Sequence, residues 1–492
     1  MSIMDNTNLL AALPEMALLV GACVVIMADV LQSENRRISI DRLALGALLF
    51  PFIATLWQYD WPAQYAFSGM YVLDDFSKLL KLCSYGAVAA TIVYARRYDF
   101  DRGLRRGEFY GLALFALLGQ MLMASANDMI ALYLGLELQS LALYVIAAIN
   151  RDSVRSTEAG LKYFVLGALS SGFLLYGMSM LYGAAGDLSL EAVARAFDDA
   201  HTNSAVMTFG TVFIVAGLAF KLGAVPFHMW VPDVYHGAPT TVTLFIAGAS
   251  KLASFAIAFR LLVEALLAVA VDWQQMLIVL SVLSLAIGNI VALSQSNFKR
   301  MLAYSTISHV GFVLLGLLSG VVPGREGLAA EAYSSALFYM LIYVLTTLGT
   351  FGLIQILARK GFECEEIADL RGLNRRSPLL AGVLLVLMFS LTGIPPTAGF
   401  VAKLTVLEAV VDAGHVWLAV FAVMMSLVGA FYYIRVVKVA YFDEPVGNEP
   451  LVVATEARVL FGLNGAAVLL LGIVPGGLIA VCLEVIRQAM AT

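Results

Sequence analysis

Charge and cysteine are both scarce in this sequence. Only 13% of the 492 residues are Asp, Glu, Lys or Arg, whereas 61% are hydrophobic and the mean hydropathy is +0.87. A soluble domain of this length is excluded by that composition. No two of the four cysteines have metal or redox spacing, so we expect no haem, iron–sulfur cluster or structural zinc. No basic segment precedes the first apolar run, and a cleaved signal peptide is therefore not indicated.

Apolar stretches of about 20 residues, each long enough to cross a bilayer, recur from end to end. The longer connections, at 184–203, 358–377 and 441–454, are polar and too small to fold separately. We therefore predict a single all-α polytopic membrane domain over 1–492. Its expected transmembrane helices number about 14, near residues 8–31, 39–60, 72–95, 107–126, 129–149, 158–183, 204–231, 239–265, 273–293, 300–321, 331–357, 378–410, 414–440 and 455–483.

Basic residues are concentrated in alternate connections between these helices. Because basic loops stay on the cytoplasmic side, the alternation predicts that both termini face outward, across a bacterial inner (plasma) membrane. The residues that carry this prediction are Arg36, Arg37, Arg42, Arg96, Arg97, Arg102, Arg105, Arg106, Arg151, Arg155, Lys299, Arg300, Arg359, Lys360, Arg371, Arg375 and Arg376. We interpret Lys299 and Arg300 as surface anchors.

Four ionisable residues lie deep inside apolar runs: Glu137, Lys221, Lys251 and Lys403. Each costs about 2.5–3.5 kcal/mol at the bilayer centre, so the set costs on the order of 10 kcal/mol. Burial disfavours a charged lysine and a nearby carboxylate favours it, so a Glu–Lys–Lys–Lys series is suited to a proton relay. No arginine, which keeps its proton, lies at mid-depth. The alternative is that these side chains only join helices together.

Two further residues are candidates with open alternatives. Lys162 lies about one turn inside its helix, where it could join the relay or extend to the cytoplasmic surface. His309 lies in the tenth span and could carry protons between the two halves of the chain, or be a core histidine. The charged residues near the outer ends, Glu15, Asp75, Lys78 and Lys81, are interpreted as structural.

Prolines interrupt the seventh and twelfth helices, beside relay lysines. Pro226 lacks an N–H and frees the carbonyl of Leu222, and Pro395 and Pro396 do the same near Thr392. Interrupted helices in corresponding halves of a chain indicate an ion-handling site near the midplane. The two interruptions lie five helices apart, and this odd offset predicts two inverted five-helix repeats. The expected order is N-terminal helices 1–3 (1–106), repeats of helices 4–8 (107–265) and 9–13 (273–440), and helix 14 (455–483).

Four motifs together resemble the antiporter-like subunits of respiratory complex I: GLELQSLALYVIAAINRDSVRSTEAGLKYFVLGALSSG, FKLGAVPFHMWVPDVYHGAPT, SNFKRMLAYSTISHVG and GIPPTAGFVAK. The resemblance covers nearly the whole chain. It implies a fourteen-helix fold with broken helices 7 and 12 and one proton-translocating unit. Glu137 would be the acid of helix 5, Lys221 its partner in helix 7, Lys251 the central lysine and Lys403 the exit-side residue, with Lys162 tuning the Glu137 end.

The resemblance also implies an activity and partners. The chain would be a subunit of a proton-pumping NADH:quinone oxidoreductase and would hold no redox centre. NADH, FMN, iron–sulfur clusters and quinone would be used by other subunits. The expected partners are antiporter-like subunit M, small membrane subunits and the lipid bilayer, with no nucleic acid. The alternatives are a subunit of a cation/proton antiporter without redox coupling, and a structural membrane scaffold.

Overall fold

The computed structural model describes residues 6–31, 39–102, 107–197, 204–322, 324–445, 451 and 453–491. Arg36, Arg37, Arg105 and Arg106 lie outside the described residues. The helices up to residue 237 are α1 (Asn6–Ala11), α2 (Leu13–Leu31), α3 (Ile40–Trp57), α4 (Asp75–Asp101), α5 (Gly107–Ser125), α6 (Met129–Ala147), α7 (Val154–Ala185), α8 (Leu190–Ala196), α9 (Ser204–Leu222) and α10 (Trp230–Gly237).

The helices after residue 237 are α11 (Thr240–Ala247), α12 (Ala249–Phe259), α13 (Ala270–Leu293), α14 (Phe298–Ser319), α15 (Glu326–Leu357), α16 (Leu373–Arg376), α17 (Pro378–Thr392), α18 (Ala398–Asp412), α19 (Val416–Phe442), α20 (Thr455–Ile473) and α21 (Gly476–Ala491). A π-helix at Arg260–Ala265 and 3-10 turns at Leu267–Val269 and Ile367–Leu370 join some of them. Strands β1 (Gln64–Ala66) and β2 (Tyr71–Leu73) form an antiparallel hairpin.

Thirteen helical segments in the described ranges are long and apolar enough to cross a membrane. Helix α17 is shorter, at 15 residues, but α18 follows it after a five-residue break, and the pair has the length of a fourteenth span. The predicted all-α polytopic fold with about 14 spans is therefore confirmed. The boundaries differ by several residues in places: the third span is Asp75–Asp101 rather than 72–95.

Helices are interrupted at both predicted places. Helix α9 ends at Leu222, and Gly223 follows in the left-handed region at φ +85°. Helix α17 likewise ends at Thr392, and Gly393 follows at φ +88°. A glycine in this conformation commonly ends a helix, because it lacks the Cβ that would clash there. Proline three residues further on prevents the helix from continuing in either half.

Two other interruptions were not predicted. The expected helix over 239–265 is broken at Gly248, which separates α11 from α12, and its last turn is the π-helix. The expected single helix over 455–483 is two helices, because α20 ends at Ile473 and α21 begins at Gly476. Val474, at φ −128° and ψ 69°, is outside the helical region, which a following proline disfavours.

The middle of the protein is formed by the segment Thr240–Ala265 and helices α14 and α15, which are buried along nearly their whole lengths. Helices α2, α19 and α20 are mostly exposed and lie at the periphery. The segment packs on α4, α5, α9 and α15, and α14 packs on α13, α15 and α18. The predicted relay residues Lys251 and His309 therefore lie on central helices.

Candidate proton pathway

Lys221 is in the last turn of α9 and contacts α6. Its ammonium donates a 2.7 Å hydrogen bond to the hydroxyl of Ser140 and lies 5.9 Å from the centre of the Tyr144 ring. Ser140 in turn donates to the carbonyl of Leu136 at 2.6 Å. The lysine is therefore held by a neutral hydroxyl and an aromatic face, and neither partner neutralises its charge.

Glu137 lies on the same helix as Ser140, one turn earlier. It is partly buried, and its Oε1 atom is enclosed without a hydrogen-bond partner. The carboxylate interacts electrostatically with Lys221 but forms no direct ion pair with it. The structure thus brings the predicted acid and lysine together through Ser140. Glu137 continues a stripe of exposed apolar residues along α6: Ile130, Leu134, Leu141 and Val145.

Lys251 is fully buried in α12, at 1% exposure. Its ammonium donates a 2.7 Å hydrogen bond to the carbonyl of Leu222 and lies 5.4 Å from the centre of the Trp230 ring. The Leu222 carbonyl is the one that Pro226 leaves without its helical partner. The central lysine therefore satisfies the acceptor that the broken helix exposes inside the membrane, where an unpaired carbonyl is costly.

Lys403 has the same arrangement in the second half. Its ammonium donates at 2.9 Å to the carbonyl of Thr392, the last residue of α17 and four residues before Pro396. A second hydrogen bond, of 3.2 Å, goes to the Ser426 hydroxyl on α19, and the ring of Phe312 is centred 5.1 Å away. Both freed carbonyls are thus capped by a lysine, from α12 in one half and from α18 in the other.

This arrangement has a chemical consequence. The carbonyl end of a helix carries a partial negative charge, so a cation is favoured where α9 and α17 end. The favourable field is weaker than that of a full carboxylate. A lysine held in this way can be charged, yet it keeps no counter-ion that would fix its proton permanently. The two sites are therefore suited to reversible proton binding.

His309 is buried in α14 between two tyrosines. Its Nδ1 atom is 2.7 Å from the hydroxyl of Tyr339, and its Nε2 atom is 3.0 Å from the hydroxyl of Tyr433. His309, Tyr339 and Lys403 line one cavity of about 10 Å³, the room that a single water molecule needs. The structure therefore brings His309 next to Lys403 across this cavity.

Lys162 lies apart from the deep residues. Its ammonium forms ion pairs with Glu158 at 2.7 Å and with Asp233 on α10 at 2.8 Å, and Arg300 binds the other oxygen of Asp233 at 2.9 Å. The side chain is 42% exposed and lines an open polar cavity of about 200 Å³. The structure places Lys162 with Asp233 rather than with Glu137.

Other buried charges form compact ion pairs. Lys299, interpreted from the sequence as a surface anchor, is instead 1% exposed and pairs with Glu365 at 3.3 Å. It also donates to the carbonyl of Ala238 at 2.8 Å. Arg300 fits that interpretation better, since it is 30% exposed. The interpretation of Lys81 as structural agrees with its 2.6 Å ion pair to the buried Glu15.

A fully buried arginine was also missed. Arg260 was not recognised because it lies five residues from the end of its predicted span. Its guanidinium pairs with Asp74 at 2.7 Å and Glu264 at 2.6 Å and donates to the carbonyl of Ala124 at 3.0 Å. Two carboxylates therefore hold its charge, in contrast to the relay lysines. In the described ranges, no group of three or more His, Cys, Asp or Glu side chains is placed to hold a metal ion.

Several residues that contact the predicted site were missed. Ser140 could have been found, because it follows Glu137 by three residues and so faces the same side of α6. Tyr339, Ser426 and Tyr433 carried no signal, since each lies on a different helix from the residue it contacts, 23 to 124 residues away along the chain. Only the folded arrangement brings them to His309 and Lys403.

The fold and the site define a class of membrane protein with interrupted helices and buried lysines at the breaks. Residues 126–429 match the sequence family described as NADH:quinone oxidoreductase/Mrp antiporter, TM. The chain belongs to this family. Over nearly its whole length it is similar to proteins named NADH-quinone oxidoreductase subunit N, from Herminiimonas arsenicoxydans (56% identity over 494 residues, 99% of this chain and 100% of that one) and Nitrosomonas europaea (51% over 479 residues, 97% and 98%).

Solved structures agree with this assignment. A chain of respiratory complex I from Thermus thermophilus with bound aureothin matches with a TM-score of 0.80 and 32% identity, covering 95% of this chain and 98% of that one. A chain of the Mrp complex from Dietzia matches with a TM-score of 0.82 but 20% identity, covering 99% and 97%, and this likeness concerns the fold alone. The resemblance seen in the sequence motifs is confirmed.

Proposed function

We propose that this chain is a proton-translocating membrane subunit of a bacterial NADH:quinone oxidoreductase. The observation that carries the proposal is that Lys251 and Lys403 cap the two carbonyls freed by the helix breaks, with no carboxylate counter-ion among the described residues. The names of the full-length relatives favour redox-coupled pumping over a cation/proton antiporter without redox coupling. NADH, FMN, iron–sulfur clusters and quinone would be bound by other subunits, and this chain would hold none of them.

The relay begins near Glu137 and runs through Lys221 and Lys251 to Lys403. Two contacts support a connection between the first two lysines: Lys251 binds the carbonyl of Leu222, the residue after Lys221, and Ser254 on the same helix as Lys251 donates to the Lys221 carbonyl at 3.4 Å. Lys162 would tune the pathway from the surface through Asp233. Quinone reduction elsewhere in the complex would change the charge near Glu137, and the lysines would respond in turn.

The setting of the subunit follows from the same proposal. It lies in the bacterial inner membrane beside antiporter-like subunit M and small membrane subunits. Both termini face outward, according to the alternation of basic loops. Residues 107–265 and 273–440 form two inverted repeats within one domain. The matching sequence of helix end, left-handed glycine and proline at Leu222–Pro226 and at Thr392–Pro396 supports that division.

The test uses inside-out membrane vesicles containing the whole complex. Lys221→Ala removes the charge and the proton, whereas Lys221→Arg keeps a charge that cannot be released. We expect both variants to reduce NADH-driven proton uptake and quinone reduction by about a hundredfold or more, the range of a lost proton-transfer group. Lys438→Ala, which removes a 62% exposed lysine, is the control and should behave as the wild type.

Assembly is checked by native electrophoresis, and NADH-driven ferricyanide reduction, which does not need the membrane subunits, is used to correct each rate for the amount of complex in the vesicles. Full pumping in Lys221→Arg would show that a fixed charge is sufficient, and the relay would then be wrong. Wild-type pumping in Lys221→Ala would make this lysine structural. Addition of sodium ions at constant pH should leave the pumping rate unchanged, since the proposed ion is the proton.

A further inference from the structure

The surroundings of His309 form a continuous file of hydrogen-bonding groups. Both ring nitrogens are occupied by tyrosine hydroxyls, Tyr339 on Nδ1 at 2.7 Å and Tyr433 on Nε2 at 3.0 Å. The hydroxyl of Tyr433 also bonds to the hydroxyl of Ser305. All four side chains are at least 94% buried. Ser305, Tyr433, His309 and Tyr339 therefore follow one another without a gap.

Each member of this file can donate one hydrogen bond and accept another. A neutral imidazole has one N–H donor and one bare nitrogen, and a tyrosine or serine hydroxyl donates once while accepting. In one histidine tautomer all the donors point from Ser305 towards Tyr339, and in the other tautomer all point back. The file can thus exist in two oppositely directed states, and in each of them all three internal contacts keep one donor and one acceptor.

The two ends of the file lead to different places. Ser305 lies one turn before His309, nearer the Phe298 end of α14. Tyr339 lines the cavity of about 10 Å³ that also contacts Lys403. One water molecule in that cavity would complete the connection from the tyrosine hydroxyl to the ammonium group.

We propose that Tyr433 and Tyr339 are proton-relay residues, which with His309 between them connect Ser305 to Lys403. A proton arriving at Ser305 is passed to the Tyr433 oxygen while the Tyr433 proton moves to Nε2. The Nδ1 proton then moves to the Tyr339 oxygen, and the Tyr339 proton leaves through the cavity to a neutral Lys403 amine. Every O–H or N–H bond that breaks is matched by one that forms, and each hydroxyl and the ring end neutral.

This inference rests on the proposed function, because a relay to Lys403 has meaning only where Lys403 takes up protons. A relay role for the two tyrosines differs from a packing role in one respect that can be measured. Buried tyrosines that merely fill space would tolerate loss of the hydroxyl, since phenylalanine has the same ring. A relay would not tolerate it, because the ring nitrogen would lose the group with which it exchanges protons.

The test compares Tyr433→Phe and Tyr339→Phe in assembled complex, again in inside-out vesicles. Tyr333→Phe is a matched control, because Tyr333 is fully buried on the same helix as Tyr339 and its hydroxyl has no hydrogen-bond partner in the described structure. We expect both relay variants to reduce the rate of NADH-driven proton uptake by about a hundredfold or more. We also expect a larger rate decrease on transfer from H2O to D2O than in wild type, which a packing defect would not produce. Tyr333→Phe should match wild type in both solvents.

The outcomes separate the two proposals. If Lys221→Ala abolishes pumping while Tyr433→Phe and Tyr339→Phe pump as well as Tyr333→Phe, the tyrosine relay is overturned and the proposed function stands. If Lys221→Ala also pumps normally, the proposed function itself has failed. Should a phenylalanine variant not assemble, His309→Gln serves instead. Glutamine keeps one donor and one acceptor near the ring positions but cannot pass a proton on, so wild-type pumping in that variant would overturn the relay.

Discussion

Replacement of Lys403 by methionine tests whether this lysine conducts protons or only stabilises the fold. The change removes the hydrogen bonds to the Thr392 carbonyl at 2.9 Å and to the Ser426 hydroxyl at 3.2 Å, together with the contact to the Phe312 ring. Methionine has a similar length and no charge, so it fills most of the same volume. The question is whether the complex loses stability, proton transport, or both.

The expected change in stability is small because two contributions oppose each other. A buried carbonyl left without a partner costs about 1–3 kcal/mol, and loss of a cation–π contact away from water costs about 0.5–2 kcal/mol. Removal of an ammonium group from the membrane interior gains about 2.5–3.5 kcal/mol. The net effect on folding is therefore within about 2 kcal/mol of zero, by the same principles.

A buried lysine that is paired with a carboxylate gives the opposite expectation. Lys81 bonds to Glu15 at 2.6 Å and to the Tyr71 hydroxyl at 2.9 Å, and Glu15 is only 5% exposed. Lys81→Met would leave that carboxylate buried and uncompensated, which costs about 3–5 kcal/mol. This variant is the matched comparison for Lys403→Met.

The assay heats detergent-solubilised complex and follows dissociation of this subunit by native electrophoresis, while vesicles report proton uptake. We expect Lys403→Met to dissociate at the wild-type temperature and to lose pumping, and Lys81→Met to dissociate at a clearly lower temperature. The reasoning would be refuted if Lys403→Met destabilised the complex as strongly as Lys81→Met. Normal pumping by Lys403→Met would refute the role of this lysine in transport.

Three other perturbations give distinct results. Gly393→Ala forces a side chain into φ +88° with its Cβ 2.9 Å from Lys403 Cδ, so heat dissociation should show a loss of about 1–2 kcal/mol together with reduced pumping. Arg260→Leu leaves two carboxylates, Asp74 and Glu264, without their cation, so it should cost about 3–5 kcal/mol in the same assay. Burial raises the pKa of Asp233, but hydrogen bonds and charge from Lys162 and Arg300 outweigh it and the pKa is lowered. The ion pairs of Asp233 are therefore complete above the ordinary carboxyl pKa of about 3.9 and are lost only as the pH falls through the lowered pKa. Asp233 stays ionised across about pH 5–8. The ratio of the pumping rates of Asp233→Asn and wild type should therefore be the same throughout that range.

The sequence predicted the helix breaks and the acceptors that they free, but not what satisfies those acceptors. Proline chemistry is local, so Pro226 identifies the Leu222 carbonyl without knowledge of the fold. The partner, Lys251, is 29 residues away on another helix. Whether its side chain reaches the Leu222 carbonyl depends on how α12 packs against α9. Lys403 was recognised as deep from hydropathy alone, whereas its contact with Thr392 required the geometry of the break.

The position of a residue along its span predicted its burial poorly where neighbouring helices or loops cover the side chain. Lys299 lies near a span end and was interpreted as a surface anchor, and Arg260, also near a span end, was not recognised. Both are 1% exposed, because the loop carrying Glu365 covers Lys299, and α4 and α5 enclose Arg260. Hydropathy measures position along the membrane normal, and it contains no information about lateral neighbours.

The two kinds of buried cation explain why lysine is used at the breaks. Arg260 and Lys81 are each held by carboxylates, and such a pair keeps its charge because separating it leaves an uncompensated ion. Lys251 and Lys403 are held by carbonyls, whose partial charge favours the ammonium without requiring it. A neighbouring charge that changes by one unit, at about 10 Å and an effective dielectric constant of about 20, alters the energy of such a site by about 1.7 kcal/mol, roughly a tenfold change in proton occupancy. A carboxylate a few ångströms from the lysine would interact with its ammonium about two to four times more strongly than that distant charge does. It would therefore keep the lysine protonated when the distant charge changes. In the proposed relay, capping by a backbone carbonyl would therefore allow each lysine to respond to the charge of the next.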